Sequence, residues 1–379
     1  MRILIAPDSF KGSLTSTEAA AAMARGIASV MPDVELICMP LADGGEGTAD
    51  VLASVQSPLS LQSSQSLQSP LSLQSSQTAC LEAGRPAADA HVLIESAALI
   101  GLNLASMQGD VFERGSSLLG EAVLRALHAG QGDIRIALGG SAVVDGGLGL
   151  LLALGCKVVD GNALPVSADL KGLMQASRID VEGLDQRLND ECVQITILSD
   201  VQNPLCGKEG AVRMYGAQKG IKAARLHAVE LAMQSWADLC EDTFSMSVQT
   251  DMGTGAAGGL GFALKLLGGR IVSGAEYVMR AMDFERIAVT VDWVLTGEGL
   301  SDAQSLHGKL PFMVAQMSHE AGAKVVLISG DVLNKTELLD CFDTVVAARL
   351  EGMSVSEAMR QAERYLSAAA AGWMKSVLK

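Results

Sequence analysis

With 379 residues the chain is longer than one ordinary domain and suggests two. Hydrophobic residues make up 49% of it but aromatics only 3%, so its cores must be built from aliphatic side chains. The formal charge of −15 argues against nucleic acid or an anionic membrane as the main partner.

The elements follow from the pattern of apolar runs. A strand is expected at Arg2–Ala6, followed by Asp8, Ser9 and Lys11 in a loop. A helix is expected over Ser16–Met31, because Thr15 and Glu18 have capping-box spacing and Met23, Ile27 and Val30 share a face. Pro32-Asp33 stops it, and Val34–Leu41 reads as a second strand leading into Asp43-Gly44-Gly45-Glu46-Gly47. Next comes QSPLSLQSSQ at 56–65, repeated letter for letter at 68–77; the repeat region 56–79 reads as a linker or a weakly paired hairpin. Further strands are expected at Ile134–Leu138, Ile195–Leu198, Val291–Leu295, Lys324–Ser329 and Thr344–Ala347. A last helix, with Ser354 and Glu357 as its capping box, is expected to run to the C-terminus.

Short continuous apolar strands alternating with helices indicate a parallel sheet covered on both faces. The glycine-rich middle of the chain reads as a second α/β domain. The expected organisation is therefore a discontinuous domain of residues 1–52 and 290–379, with 53–289 inserted into it. Such a chain crosses between domains twice, which suits a cleft that opens and closes.

Five of the apolar runs end in a carboxylate with glycine or a small polar residue: Asp8-Ser9, the 43–47 loop, Gly139-Gly140-Ser141 with Asp145, Asp200, and Gly297-Glu298-Gly299. Open parallel sheets bind ligands beyond the carboxyl ends of their strands. Glycines there admit a close backbone approach, and carboxylates can hold Mg²⁺ or accept a proton. The set points to a site for an anion and a metal. Gly253–Gly258 spells G-x-G-x-x-G, but the polar stretch before it is no strand, so a Gly-rich helix start is expected there and not a dinucleotide site. A P-loop and the protein-kinase signatures are missing. Of Lys11, Lys219 and Lys309, Lys11 has the strongest case as an anion contact, because it precedes a helix N-terminus. Ser141 is either an anion donor or a helix N-cap. His307 has only a weak case. Seven dispersed cysteines without C-x-x-C fit reduced thiols. No run of roughly 18 apolar residues exists to span a membrane, and the N-terminus reads as a strand, not a signal core. A cytoplasmic protein is expected.

Seven blocks, APDSFKGSLT (6–15), PLADGGEGT (40–48), ALGGSAVVDGGLGLL (137–151), SDVQNPLCG (199–207), YGAQKG (215–220), GTGAAGGLGFAL (253–264) and LTGEGLSDAQSLHGK (295–309), resemble in order those of the bacterial type I glycerate kinases. The resemblance implies ATP- and Mg²⁺-dependent phosphorylation of D-glycerate to 2-phosphoglycerate in an interdomain cleft. It also implies a Rossmann-like parallel-sheet domain carrying the inserted α/β domain. Asp200, Asp8, Lys11 and Asp145 are then the catalytic candidates. Ser9, Asp43, Glu46, Gly139, Gly140, Ser141, Asn203, Gln218, Lys219 and Glu298 are candidates for substrate and phosphate, and Asp200 and Asp43 for the metal. Glycerate and a nucleotide are the implied partners, without nucleic acid or membrane, and a homodimer is a candidate assembly. The chain has Leu300 where the family usually has arginine, Val143 for threonine and Ala217 for proline. Losing that arginine removes a bidentate anion contact. The alternatives are an inactive hydroxy-acid-binding homologue and a kinase of a related small hydroxy acid.

Overall fold

The computed structural model describes residues 1–54, 91–306 and 308–378, so the 56–79 repeat and His307 lie outside the described residues. The strands in chain order are β1 (Arg2–Ile5), β2 (Glu35–Cys38), β3 (His91–Glu95), β4 (Asp133–Ala137), β5 (Lys157–Val159), β6 (Arg178–Asp180) and β7 (Gln194–Leu198). They continue with β8 (Arg270–Val272), β9 (Trp293–Thr296), β10 (Leu300–Ser301), β11 (Lys324–Ser329), β12 (Asp331–Val332) and β13 (Thr344–Ala347). The described residues form two compact units. One takes Met1–Asp43, the described stretch from Gly47 and the chain from Ala275; the other takes Gly44–Glu46 and the described residues up to Gly274.

The first unit is an α/β layer structure on a five-stranded parallel sheet, order β13-β11-β9-β1-β2. Its strands are continuous apolar runs because both faces are buried. Ile3, Ile5, Leu295, Val326 and Ile328 face one way and meet Met23, Ile27, Trp373 and Met374. Leu4 and Val294 face the other way, among Val278, Phe284 and Val314. The first helix is Ser16–Ala28, and both halves of the expected capping box between Thr15 and Glu18 form. The final helical stretch differs from expectation. Ser354 Oγ accepts from Glu357 N–H, but the helix stops at Arg360 and a second one runs over Ala362–Val377. Gln361 between them leaves the helical region with φ −120° and ψ 28°, a local backbone break that no breaker residue announces.

The second unit has a four-stranded parallel sheet, order β3-β4-β7-β8, and an antiparallel ribbon of β5 with β6. Ile134, Ile136, Ile195 and Ile197 anchor its core with Leu119, Val123, Trp236 and Phe262. Trp236 Nε1 donates to Gly146 O at 3.0 Å, so the one polar atom of this buried ring is satisfied. Gly253–Gly258 leads into the helix Leu260–Leu266 with no strand before it, as the sequence suggests. Among the described residues no helix is long and apolar enough to cross a membrane.

Gly26 shows where packing overrides helix propensity. It lies inside the first helix, where alanine is normally favoured by about 1 kcal/mol. A Cβ there would sit 2.1 Å from the Ser367 carbonyl oxygen of the last helix. Gly26→Ala is expected to destabilise the protein by about 1–3 kcal/mol in chemical denaturation. A variant as stable as the parent would mean that the two helices do not approach this closely.

Candidate active site

In the first unit the chain runs from β1 out to the edge strand β2 and later returns as β9 on the other side of β1. The strand order reverses between β1 and β9, the place where open α/β sheets hold ligands. The parallel ladder continues past the strand ends. Ala6 N–H donates to Leu295 O at 2.7 Å, Asp8 N–H to Gly297 O at 2.9 Å and Leu41 N–H to Pro7 O at 3.0 Å. This lines up the segments bearing Asp8, Asp43 and Glu298 along one edge of the sheet.

Asp8 is 7% exposed, and its Oδ1 accepts from Ser9 N–H at 2.7 Å. Burial first, and then the Asp43 charge, push its carboxyl well above the usual range, while Lys11 and the Ser9 N–H pull it down. Lys11 Nζ lies 3.6 Å from Asp43 Oδ2, and that carboxylate raises the lysine in turn. Lys309, at the N-cap of the helix Leu310–Glu320, stands 3.7 Å from Glu298 Oε2 and 3.9 Å from Asp302 Oδ1. Ser301 Oγ donates to Glu298 Oε1 at 3.1 Å. The first unit thus gathers Asp8, Ser9, Lys11, Asp43 and Glu298 from the expected set. Beside them stand Asp302 and Lys309, the latter one of the three lysines weighed from the sequence.

The second unit brings its own loops together at the carboxyl ends of β4 and β7. Gly139 N–H donates to Gly44 O at 3.1 Å, and a Cβ on Gly139 would sit 2.2 Å from Gly45 Cα. Gly44, at φ +82°, lies against the Leu198 carbonyl, where a Cβ would come within 3.1 Å of the oxygen. Only glycine permits this backbone-on-backbone stacking. Glu46 is exposed beside Gly140. Ser141 is buried and caps no helix: the next helix starts at Leu148 with Gly147 as its N-cap.

Lys219 is the notable charge here. It is 6% exposed, and its Nζ donates to Ser141 Oγ at 3.1 Å and Val143 O at 2.9 Å. Burial lowers its pKa to about 7, with Asp145 opposing the shift. Asp145 is buried too, but fully bonded. It accepts from Ser116 N–H at 2.8 Å, Ser116 Oγ at 2.7 Å, Gly147 N–H at 3.2 Å and Gly149 N–H at 3.1 Å. Burial raises its carboxyl and these four donors lower it. Asp200 Oδ1 accepts from Gly274 N–H at 3.0 Å. Asn203 is occupied within its own loop, accepting from Tyr215 Oη at 2.6 Å and donating to Glu209 O at 2.8 Å. Gln218 is exposed. Ser116, which fastens Asp145, carries no signal in the sequence beyond being a serine after glycine.

Fold and loops together define an α/β protein of the kind that binds ligands beyond the carboxyl ends of parallel strands. The profile of the glycerate kinase family matches residues 3–378. Glycerate 2-kinase of Escherichia coli K12 is 36% identical over 344 residues, covering 88% of this chain and 86% of that protein. A glycerate kinase of Halalkalibacterium halodurans is 32% identical over 384 residues, covering 99% of each. The crystal structure of a putative glycerate kinase 2 from Salmonella typhimurium LT2 superposes with a TM-score of 0.72 at 30% identity, covering 100% of this chain and 98% of that one. The chain belongs to the glycerate kinase family, and is accordingly an enzyme of the kinase class.

The buried lysine has a thermodynamic signature. Its amine ionises near pH 7 in the fold but near 10.5 in the unfolded chain, so the unfolded state binds more protons between those values. Its burial penalty is therefore complete below about pH 7 and is released as pH rises towards 10.5. Lys219→Met is expected to gain most in melting temperature over the parent near pH 7, with the gain shrinking by pH 10. A difference that stays constant with pH would show an amine of ordinary basicity.

Proposed function

We propose that this protein transfers the γ-phosphoryl group of ATP to the 2-hydroxyl of D-glycerate in the presence of Mg²⁺, giving 2-phosphoglycerate and ADP. Beyond family membership, one observation carries the reading. Lys219 is a buried ammonium whose two hydrogen-bond partners, Ser141 Oγ and Val143 O, are both neutral. Buried charges are normally paired, and an anion beside Ser141 would supply the pairing and hold the lysine protonated. The Gly140 N–H adds a backbone donor for a carboxylate or phosphate, whereas that of Gly139 is committed to the Gly44 carbonyl.

Among the described residues no three His, Cys, Asp or Glu side chains gather as a self-sufficient metal cage. Mg²⁺ does not require one, since it is commonly held by one or two carboxylates plus substrate phosphates and water. Asp43 with buried Asp8 beside it fits that donor set: burial and the Asp43 charge oppose ionisation of Asp8, and a dication would relieve the conflict. Asp200, in the second unit, is the other candidate. When bound, the ion neutralises charge on the transferred phosphoryl group.

The chain's own groups would do the rest. Lys11 and Lys309 would neutralise phosphate oxygens and Ser9 would donate a hydrogen bond to one, with Glu298 orienting Lys309. Asp200 would accept the proton of the glycerate hydroxyl as its oxygen attacks the γ-phosphorus and the bond to the bridging oxygen of ADP breaks. Glu46 and Gln218 would contact substrate hydroxyls. Asp145 and Asn203 would hold their loops in shape.

Purified protein with Mg²⁺-ATP and a panel of small hydroxy acids is expected to release ADP with D-glycerate. Turnover with another hydroxy acid and none with D-glycerate would transfer the mechanism to that substrate. Asp200→Asn is expected to lower kcat by about 10²-fold or more while the protein stays folded; near-parental turnover would remove Asp200 as the base. Lys11→Ala should raise KM for an anionic substrate at least as much as it lowers kcat. Unchanged KM for both substrates would mark Lys11 as a surface residue.

A further inference from the structure

Lys219 and Ser141 lie on separate loops, and one side chain ties those loops together. Arg114 follows the short turn Val111–Glu113. Its Nη1 donates to the carbonyl of Lys219 itself at 2.9 Å and reaches that of Ala142, the neighbour of Ser141, at 3.5 Å. Its Nη2 donates to Gly109 O at 2.9 Å. Its Nε is buried and has no protein partner. A guanidinium's rigid fork can hold three carbonyls in fixed relation, which a lysine's single flexible ammonium cannot.

We propose that Arg114 is the positioning residue of this site, clamping the Lys219 turn to the 139–147 loop so that the Lys219 ammonium is delivered to Ser141. The inference rests on the reading of Lys219 as the cation that holds the substrate anion. Arg114 touches neither the Lys219 amine nor the Ser141 hydroxyl; it acts only through the backbone that carries them. The titratable group that bears on the Lys219 amine is Asp145, and Asp145 is fastened separately by Ser116, Gly147 and Gly149. Loosening Arg114 should therefore let water reach Lys219 without freeing Asp145.

The test follows Lys219 directly. The full chain and its Arg114→Gln and Arg114→Lys variants are labelled with an amine-acylating reagent across a pH series. Modification of Lys219 is read by peptide mass spectrometry, beside kcat/KM with D-glycerate. In Arg114→Gln the titration midpoint of Lys219 is expected to rise by about one unit or more as the amine regains water. kcat/KM should fall about tenfold or more, because small misplacements of binding groups are costly. Arg114→Lys, which keeps a charged donor but not the fork, is expected to lie between Arg114→Gln and the parent. A parental Lys219 profile in Arg114→Gln overturns the proposal; if that variant does not fold, a parental profile in Arg114→Lys does so. A shifted profile with undiminished turnover supports the clamp and overturns the reading of Lys219 as the substrate's cation.

Discussion

The parallel ladder between β1 and β9 is the constraint on which the first unit rests. It joins positions as far apart as Arg2 and Asp292, 290 residues along the chain. In β1 and β9 the last three residues of each strand are buried and carry no charge. The carboxylates of this part of the sheet come after the strands end. Asp8 and Glu298 stand just past those ends, and the backbone bonds that continue the ladder through Gly297 set them side by side. The electrostatics of the unit, with lysines beside carboxylates and an Asp8 raised first by burial and then by the Asp43 charge, follow from strand pairing.

The second unit buries two opposite charges and treats them differently. Asp145 receives four hydrogen bonds, three of them from backbone N–H groups, which leaves it little capacity for a ligand. Lys219 receives only the oxygen atoms of one hydroxyl and one carbonyl. Desolvation acts against both ions. The fold compensates the carboxylate with hydrogen bonds, while the ammonium has Asp145 as a charged neighbour but no charged hydrogen-bond partner. That asymmetry separates a group suited to shaping a loop from one suited to meeting a ligand.

Local rules carried much of the fold. Thr15 and Glu18 form their capping box, β11 and β13 occupy the residues that the apolar runs mark, and the glycines at 253–258 open a helix without a strand before them. The last helix was less legible, because Gln361 breaks it through backbone geometry and not through a breaker residue. In the site, the carboxylates and glycines after each strand are visible as pattern. What pattern cannot convey is which of them are satisfied. The partners of Asp145 come from Ser116 as well as from its own loop, and the burial of Lys219 depends on residues brought in from positions 141 and 143. Arg114 is similarly silent, since its role lies in three distant carbonyl groups and in no motif.

The stacking of Gly44 and Gly45 on Gly139 bears on how this protein is made. Gly44–Glu46 is counted with the second unit, although it is translated immediately after β2 and before any strand of that unit. A ribosome therefore releases this tripeptide long before the loop it must stack on. β1 likewise waits for β9 until the whole second unit has been synthesised. Multidomain chains usually fold as units in order of synthesis. Here the N-terminal segment belongs in part to each unit, so the nascent chain must hold β1 and β2 without their central partner while the second unit forms around a piece of sequence already in place.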